Sequence, residues 1–125
     1  MPRMIIKLSE DNRDWYLEYS TVVDAPILYG MSLEEFKQYY QEEYGRSSMD
    51  ELEKRLARVE EKGTSSMMHS SLEDTIDYNR AGKNETCLTK EQMIEHYCKT
   101  DHLKTEEDWK QHMANLPVGK RLGND

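Results

Sequence analysis

The 125-residue chain lacks any long apolar run, since no stretch of even ten consecutive residues is hydrophobic. A helix that spans a bilayer needs about 20 mainly apolar residues, and a secretory signal also needs an apolar core, so we predict neither. Only two cysteines occur, Cys87 and Cys98. We therefore predict a cytosolic protein that keeps both thiols reduced.

Positive charge is also scarce. Lysine and arginine number 17 against 25 aspartates and glutamates, which gives a formal net charge of -8, and no segment forms a basic arm. Binding to duplex nucleic acid depends on many lysine and arginine contacts with phosphates, so this composition excludes conventional DNA binding. The acidic charge favours either simple solubility or attraction to a basic surface on another protein.

The chain nevertheless contains enough apolar residues to fold as one domain. It has two tryptophans, eight tyrosines, one phenylalanine and eight methionines, and 36% of its residues are hydrophobic. A length of 125 residues is close to the commonest size of a single domain. We predict one compact domain over residues 1–116, with a β-hairpin region at 1–31, a helical region at 32–116 and a mobile tail at 117–125.

The N-terminal part of the chain has the composition of a β-hairpin. Residues 4–8 and 15–23 are rich in β-branched and aromatic side chains, and residues 9–14 between them are turn formers. Alternation in the second strand places Trp15, Leu17 and Tyr19 on the face that should meet the core. Pro26 has no N–H to donate, so we expect it to end the pairing, and a short third strand at 27–29 is left open.

From Ser32 onward, five hydroxyl residues each stand three positions before an acidic or amide residue, which is the pattern of a helix capping box. The five pairs are Ser32 with Glu35, Ser48 with Glu51, Ser71 with Asp74, Thr89 with Gln92, and Thr105 with Asp108. Gly45, Gly63 and Gly82 then suit the left-handed residue that commonly ends a helix. The sequence predicts an α+β fold in which about five short helices follow an N-terminal antiparallel hairpin.

The predicted helices carry apolar stripes at helical spacing. Phe36 and Tyr40 belong to such a stripe on the first helix. The second helix offers Met49, Leu52, Leu56 and Val59, a pattern that suits the domain core and equally a short dimer seam. The sequence therefore leaves a homo-oligomer open.

The loop GTSSMMHSS, which begins at Gly63, concentrates hydroxyl groups before a predicted helix. A phosphate-binding site needs amide and hydroxyl donors near a helix N-terminus and a cation opposite them. One interpretation is a ligand site for a nucleotide-like, phosphorylated small molecule, formed by Gly63, Thr64, Ser65, Ser66, His69, Arg80 and Lys83. The spacing of a P-loop is absent, and an ordinary helix connection explains the same hydroxyl groups.

The histidines and cysteines form no recognisable catalytic or zinc-binding pattern. His69 stands beside Ser70, but the GxSxG sequence of a nucleophile elbow does not occur. His96 and Cys98 are two positions apart on a predicted helix, so their side chains point about 200° away from each other. We predict no enzyme activity, no cofactor and no metal ion.

An acidic surface that contains a tyrosine is the predicted contact for a partner. Glu42, Glu43 and Asp50 flank Gly45, where the first and second helices meet. Tyr39 lies opposite the core stripe of the first helix, and tyrosine is enriched at the energetic centres of interfaces. These four residues form the predicted partner-binding surface.

Two segments carry a resemblance to a known group of proteins. Residues 22–45 (VVDAPILYGMSLEEFKQYYQEEYG) and residues 60–86 (EEKGTSS, then LED and NRAGKNET) resemble small acidic accessory proteins of bacteriophages and prophages. The resemblance implies a protein of phage–host conflict that acts in the host cytoplasm. We predict a non-enzymatic inhibitor that binds a host defence protein, and the alternative is a protein that sequesters a nucleotide signal at the hydroxyl-rich loop.

Overall fold

The computed structural model describes residues 3–66 and 71–120 and shows an α+β fold. Three antiparallel strands form one sheet, with β2 between β1 and β3. The strands are β1 Arg3–Glu10, β2 Arg13–Ser20 and β3 Ala25–Pro26. The α-helices are α1 Leu33–Tyr44, α2 Met49–Lys62, α3 Leu72–Asp77, α4 Lys90–Met93 and α5 Glu106–Ala114. A π-helical turn, Ile94–Cys98, follows α4, and two 3-10 turns lie at Arg46–Ser48 and Lys83–Glu85. The predicted fold class is confirmed.

The hairpin between β1 and β2 has a two-residue turn, which is tighter than the predicted turn at 9–14. Asp11 and Asn12 occupy it with φ of 52° and 65°, and Glu10 pairs with Arg13 on either side. Aspartate and asparagine tolerate positive φ, and such turns match the twist of the flanking strands. The two strands therefore extend further toward the turn than their composition indicates.

Both faces of the sheet are buried, although the sequence analysis assigned only one face to the core. Trp15, Leu17 and Tyr19 lie in one hydrophobic cluster, as predicted, together with residues of α3, α4 and the π-helical turn. Ile5 and Tyr16 on the opposite face lie in a second cluster with residues of α1 and α2. Helices cover both sides, so the strands are apolar on both faces.

Strand β2 ends at Ser20, three residues before the predicted end at Val23. The Ser20 hydroxyl accepts hydrogen bonds from the backbone N–H groups of Val22 at 3.2 Å and Val23 at 3.5 Å. A serine side chain that bonds the following backbone in this way favours a turn over a continued ladder. The prediction of strand at residues 21–23 is wrong, and Val22 and Val23 project into solvent.

A third strand exists, but it lies at Ala25–Pro26 and not at residues 27–29. Tyr19 pairs with Pro26 and Ser20 pairs with Ala25. Pro26 was expected to end the pairing. Because β3 is an edge strand, the missing N–H of proline is tolerated there.

Three of the five predicted capping boxes form. Ser32, Thr89 and Thr105 each accept a hydrogen bond from the backbone N–H three residues later, and the reciprocal bond is present. Ser48 is wrong as an N-terminal cap because its own backbone is helical and its hydroxyl donates to the Gly45 carbonyl at 2.6 Å. Ser71 has the extended conformation of a cap but makes no such bond with its side chain.

Two of the three predicted helix-ending glycines are confirmed. Gly45 follows α1 with φ of 86°, and Gly63 follows α2 with φ of 82°. Gly82 is wrong because α3 ends at Asp77, Tyr78 is its C-terminal cap, and Gly82 has φ of -83°. Close packing explains a glycine here, since a Cβ atom would lie 2.6 Å from the Thr86 Oγ1 atom and 2.7 Å from the Leu88 Cδ2 atom.

The described part of the predicted tail has defined partners. The Lys120 backbone exchanges two hydrogen bonds with that of Cys87, at 2.7 and 2.8 Å, and the Gly119 N–H donates to the Thr86 hydroxyl at 2.7 Å. The sequence analysis expected no such contacts from residue 117 onward. Residues 121–125 lie outside the described residues.

Candidate functional site

The first three residues of the hydroxyl-rich loop run alongside β1. Gly63 accepts a hydrogen bond on its carbonyl from the Lys7 N–H at 2.9 Å, and Thr64 forms a bridge with Ile6. The Ser65 N–H donates to the Ile5 carbonyl at 2.8 Å, and the Ser65 hydroxyl accepts from the Ile5 N–H at 2.8 Å. This loop therefore satisfies backbone groups of the outer edge of β1.

The hydroxyl groups of Thr64 and Ser65 face the protein interior, and both residues are buried. The Thr64 hydroxyl accepts a hydrogen bond from the Ser66 N–H at 3.2 Å and contacts the Met4 sulfur. Buried and bonded in this way, Thr64 and Ser65 offer no hydroxyl to a ligand at the surface. Ser66 is half-buried, and His69, the remaining predicted member of this loop, lies outside the described residues.

Arg80 and Lys83 belong to a separate segment after α3, and both are exposed. The Arg80 N–H donates to the Asp24 carbonyl at 2.6 Å, and the Lys83 N–H donates to the Pro117 carbonyl at 2.8 Å. Their backbone is thus anchored to the turn after β2 and to the C-terminal segment. Gly63, Thr64 and Ser65 are anchored to β1 instead, so the two halves of the predicted ligand site have different neighbours.

The buried side chain of Asn79 organises the segment that carries Arg80 and Lys83. Its Nδ2 atom donates to the carbonyls of Ile76 at 2.6 Å and Leu88 at 2.8 Å. Its Oδ1 atom accepts from the N–H groups of Ala81 at 3.1 Å and Leu88 at 3.0 Å. The sequence analysis missed this role because each of these partners is a backbone group that composition does not reveal.

Tyr39 is half-buried and belongs to a cluster around the buried carboxylate of Glu18, so its hydroxyl is not free at the predicted partner surface. The Tyr39 hydroxyl donates to Glu18 Oε1 at 3.2 Å, the Tyr44 hydroxyl lies 2.8 and 2.9 Å from the two carboxylate oxygens, and Arg3 Nη1 lies 3.3 Å from Oε1. Burial, followed by the charge of Glu18, raises the pKa of Tyr39. The sequence signal for this cluster was Glu18, an acid that stands between the apolar residues Leu17 and Tyr19 of β2.

The acidic residues of the predicted partner surface are exposed. Glu42, Glu43 and Asp50 all project into solvent at the adjoining ends of α1 and α2. Glu42 accepts a hydrogen bond from Gln38 Nε2 at 3.3 Å, and the two residues line a shallow cavity with Gln41 and Arg46. The acidic part of the predicted surface is therefore available, but without its tyrosine.

Large apolar side chains are exposed on the segment after β2 and just after α3. We call this surface the Tyr78 patch; its residues are Val22, Val23, Ile27, Tyr78 and Arg80. Val22 is 73% exposed, Tyr78 66% and Val23 54%. The hydrogen bond from the Arg80 N–H to the Asp24 carbonyl joins the two segments that carry these side chains. The patch thus combines apolar area with a tyrosine and an arginine.

A cavity of about 440 Å³ lies at the opposite end of β2, beside the hairpin turn. We call it the hairpin-end pocket; it is lined by Glu10, Asp11, Arg13, Trp15, Lys99, Asp101 and His102. The Arg13 guanidinium lies 4.8 Å from the centre of the Trp15 ring. Arg13 is paired with Asp101 at 3.6 Å, and Lys99 is paired with Glu10.

His96 and Cys98, which were considered above as zinc ligands, do not line this pocket. Within residues 3–66 and 71–120, no three histidine, cysteine or acidic side chains are arranged to hold a metal ion. Cys87 and Cys98 are free thiols, and burial raises the pKa of Cys98 to about 12. A thiol protonated to that degree is a poor nucleophile near neutral pH.

Comparison of the chain with protein-family models, with curated proteins and with solved structures gave no match. The function is therefore argued from the surfaces described above. In the described part of the chain, each helix is too short or too polar to cross a bilayer.

Proposed function

We propose that this chain is a non-enzymatic interaction protein that binds a partner protein through the Tyr78 patch. The observation that carries the proposal is the exposure of Val22, Val23 and Tyr78 on two segments that the hydrogen bond from Arg80 to Asp24 joins. Adjoining exposed apolar side chains mark interaction sites more often than isolated ones do. Tyrosine and arginine are also the residue types that contribute most strongly to binding at interface centres.

The backbone around the patch supports a preformed contact surface. Ser20 holds the turn that carries Val22 and Val23 through its hydroxyl, and Asn79 holds the segment that carries Tyr78 and Arg80. A surface that is ordered before binding loses less conformational entropy on association. The patch is therefore suited to binding without prior rearrangement.

The negative charge of the chain favours a partner protein of net positive charge. The net charge is -8, and Glu42, Glu43 and Asp50 keep their carboxylates in solvent. Such a field accelerates encounters with a protein of net positive charge. The resemblance to phage accessory proteins implies that this partner is a bacterial host protein whose activity the chain inhibits.

The test is affinity capture from a bacterial lysate with three forms of the full chain as bait. These are the wild type, the double variant Tyr78→Ala with Val22→Ser, and the control Val118→Ser. Val118 is 61% exposed and lies outside the patch, so its substitution is a control for the Val22→Ser change of the double variant. We expect a basic protein that the wild type and the control retain and the patch variant loses.

The captured protein would then be purified and titrated against each form by calorimetry. A partner that binds the patch variant as tightly as the wild type would overturn the proposed surface. The absence of any specifically retained protein would overturn the proposed function.

The alternative function, binding of a phosphorylated small molecule, stays a prediction. Arg80 and Lys83 are both exposed on one short segment, which is the observation that favours it. A ligand at a hundred times its dissociation constant stabilises the folded state by about 2.7 kcal/mol, so a nucleotide panel in a thermal-shift assay would detect it. Arg80→Ala should then abolish the shift.

A further inference from the structure

The hairpin-end pocket has the size of a small-molecule site. Its volume of about 440 Å³ falls in the range of cavities that hold small ligands. It lies between the hairpin turn on one side and the loop after the π-helical turn on the other. Its floor is Trp15, a residue of β2 that is 3% exposed. The pocket is therefore built on the most regular part of the fold, away from the Tyr78 patch.

Charges of both signs line the pocket. Arg13 and Lys99 contribute two positive charges, and Glu10, Asp11 and Asp101 contribute three negative charges. A simple anion such as phosphate would be repelled by the three carboxylates, and a simple cation would be repelled by the guanidinium and ammonium groups. A ligand that carries one charge of each sign meets an attractive partner for both.

The two ion pairs of the pocket differ in how easily they can be exchanged. The Lys99 ammonium is in direct contact with the Glu10 carboxylate. Arg13 and Asp101 are 3.6 Å apart, and their side chains are 57% and 83% exposed. Such an exposed, loosely paired contact contributes little to stability, so a ligand can replace it at low cost.

Trp15 positions the Arg13 guanidinium from below. The guanidinium stacks over the indole ring at 4.8 Å, an arrangement that leaves its N–H groups directed outward for a planar acceptor such as a carboxylate. The indole N–H is buried and has no hydrogen-bond partner among the residues that the structure describes.

We propose that the hairpin-end pocket binds a free α-amino acid with an apolar side chain. The ligand carboxylate takes the place of Asp101 on the Arg13 guanidinium, and the ligand ammonium group takes the place of Arg13 on the Asp101 carboxylate. One intramolecular ion pair is thus exchanged for two intermolecular pairs, and the charge of the site is unchanged. The apolar side chain lies along the methylene groups of Lys99, whose side chain is 44% exposed.

The test uses three probes that differ only in their charged groups. L-Phenylalanine carries both charges, 3-phenylpropanoate lacks the ammonium group, and phenethylamine lacks the carboxylate. Each is titrated into the isotope-labelled full chain, and backbone amide shifts are followed by NMR. We expect saturable shifts at residues 10–15 and 99–102 with phenylalanine. Each single-charge probe should bind at least about tenfold more weakly than phenylalanine.

Two variants assign the ligand charges to their partners. Arg13→Gln should weaken phenylalanine binding about tenfold and leave phenethylamine binding unchanged, whereas Asp101→Asn should weaken phenylalanine binding similarly and leave 3-phenylpropanoate binding unchanged. Arg46→Gln is the control, because Arg46 is an exposed residue of the 3-10 turn between α1 and α2 and does not line the pocket. It should leave the affinity for all three probes unchanged. Far-UV circular dichroism checks that each variant is folded.

Two outcomes would overturn the proposal. One is a single-charge probe that binds as tightly as phenylalanine. The other is the absence of saturable shifts at phenylalanine concentrations up to about 10 mM, which corresponds to a negligible free energy of binding. Neither outcome bears on partner capture by the Tyr78 patch, because the two tests use different surfaces and different ligands.

Discussion

The carboxylate of Glu18 is the clearest case in which one residue determines the behaviour of its neighbours. Its side chain is 1% exposed, yet three side chains hydrogen bond to it. A buried charge is tolerated only when it is paired and hydrogen bonded. Tyr39 and Tyr44 therefore point inward, and the surface of α1 is left to glutamates and glutamines.

Removing one hydroxyl from this cluster should destabilise the fold. Tyr39→Phe keeps the ring but deletes the hydrogen bond to Glu18, so we expect a loss of about 2 kcal/mol in the free energy of unfolding. Urea denaturation measures it. Tyr78→Phe is the matched control, because Tyr78 is 66% exposed, and it should change stability by less than about 0.5 kcal/mol. Equal effects of the two substitutions would contradict the assigned role of Tyr39.

His96 links stability to pH at the residue scale. Burial, followed by the nearby His112, lowers the pKa of His96 below its usual range. The unfolded chain then binds a proton at a higher pH than the folded chain does, so stability falls as the pH drops below about 6.5. We expect the urea midpoint to decrease between pH 7 and pH 5.5, and His96→Gln to reduce this decrease. A midpoint that rises over the same interval would contradict the prediction.

At the scale of elements, local signals were predictable and long-range partners were not. The boxes at Ser32, Thr89 and Thr105 depend on groups three residues apart, so the sequence alone identifies them. Ser48 failed because a 3-10 turn precedes α2 and extends the helical backbone through it. The pairing of Gly63, Thr64 and Ser65 with β1 joins groups about sixty positions apart, for example Ile5 and Ser65. Short-range patterns carry no information on such contacts.

Asn79 is the main determinant of the segment between α3 and α4. Asn79→Ala would remove four hydrogen bonds and leave the N–H groups of Ala81 and Leu88 without their acceptor. Because those groups are mostly buried, we expect a loss of about 3 kcal/mol in the free energy of unfolding. Urea denaturation tests this, and the amide protons of Ala81 and Leu88 should exchange faster with solvent.

The matched control for that experiment is Asn115→Ala. Asn115 is exposed at the end of α5, so its substitution should change stability by less than about 0.5 kcal/mol. Unchanged exchange at Ala81 and Leu88 in Asn79→Ala would show that the segment is held by other contacts.

At the scale of the whole molecule, α2 packs its apolar stripe against one face of the sheet and so contributes to the core of its own chain. The stripe of Leu52, Leu56 and Val59 packs into the second hydrophobic cluster of the same chain. From the sequence alone, a dimer seam was left open because an apolar stripe of this spacing can pack against the core of its own chain or against a second copy. Nothing of that stripe is left for a second copy, since these three side chains are buried within the chain.

We therefore expect the purified protein to be a monomer. Light scattering should give a mass near 14.8 kDa. The double variant Tyr78→Ala with Val22→Ser should give the same mass, since the patch is assigned to a different protein. A mass of twice that value for the wild type would contradict the prediction, and its loss in the double variant would assign the patch to self-association.

The pairing of Gly63, Thr64 and Ser65 with β1 has a consequence for behaviour at high concentration. Exposed strand edges are templates on which identical chains add and grow into fibrils. Here one side of the sheet is occupied by the chain's own loop, and the other is β3, two residues long and containing a proline. A protein made abundantly in a short time would thereby resist aggregation.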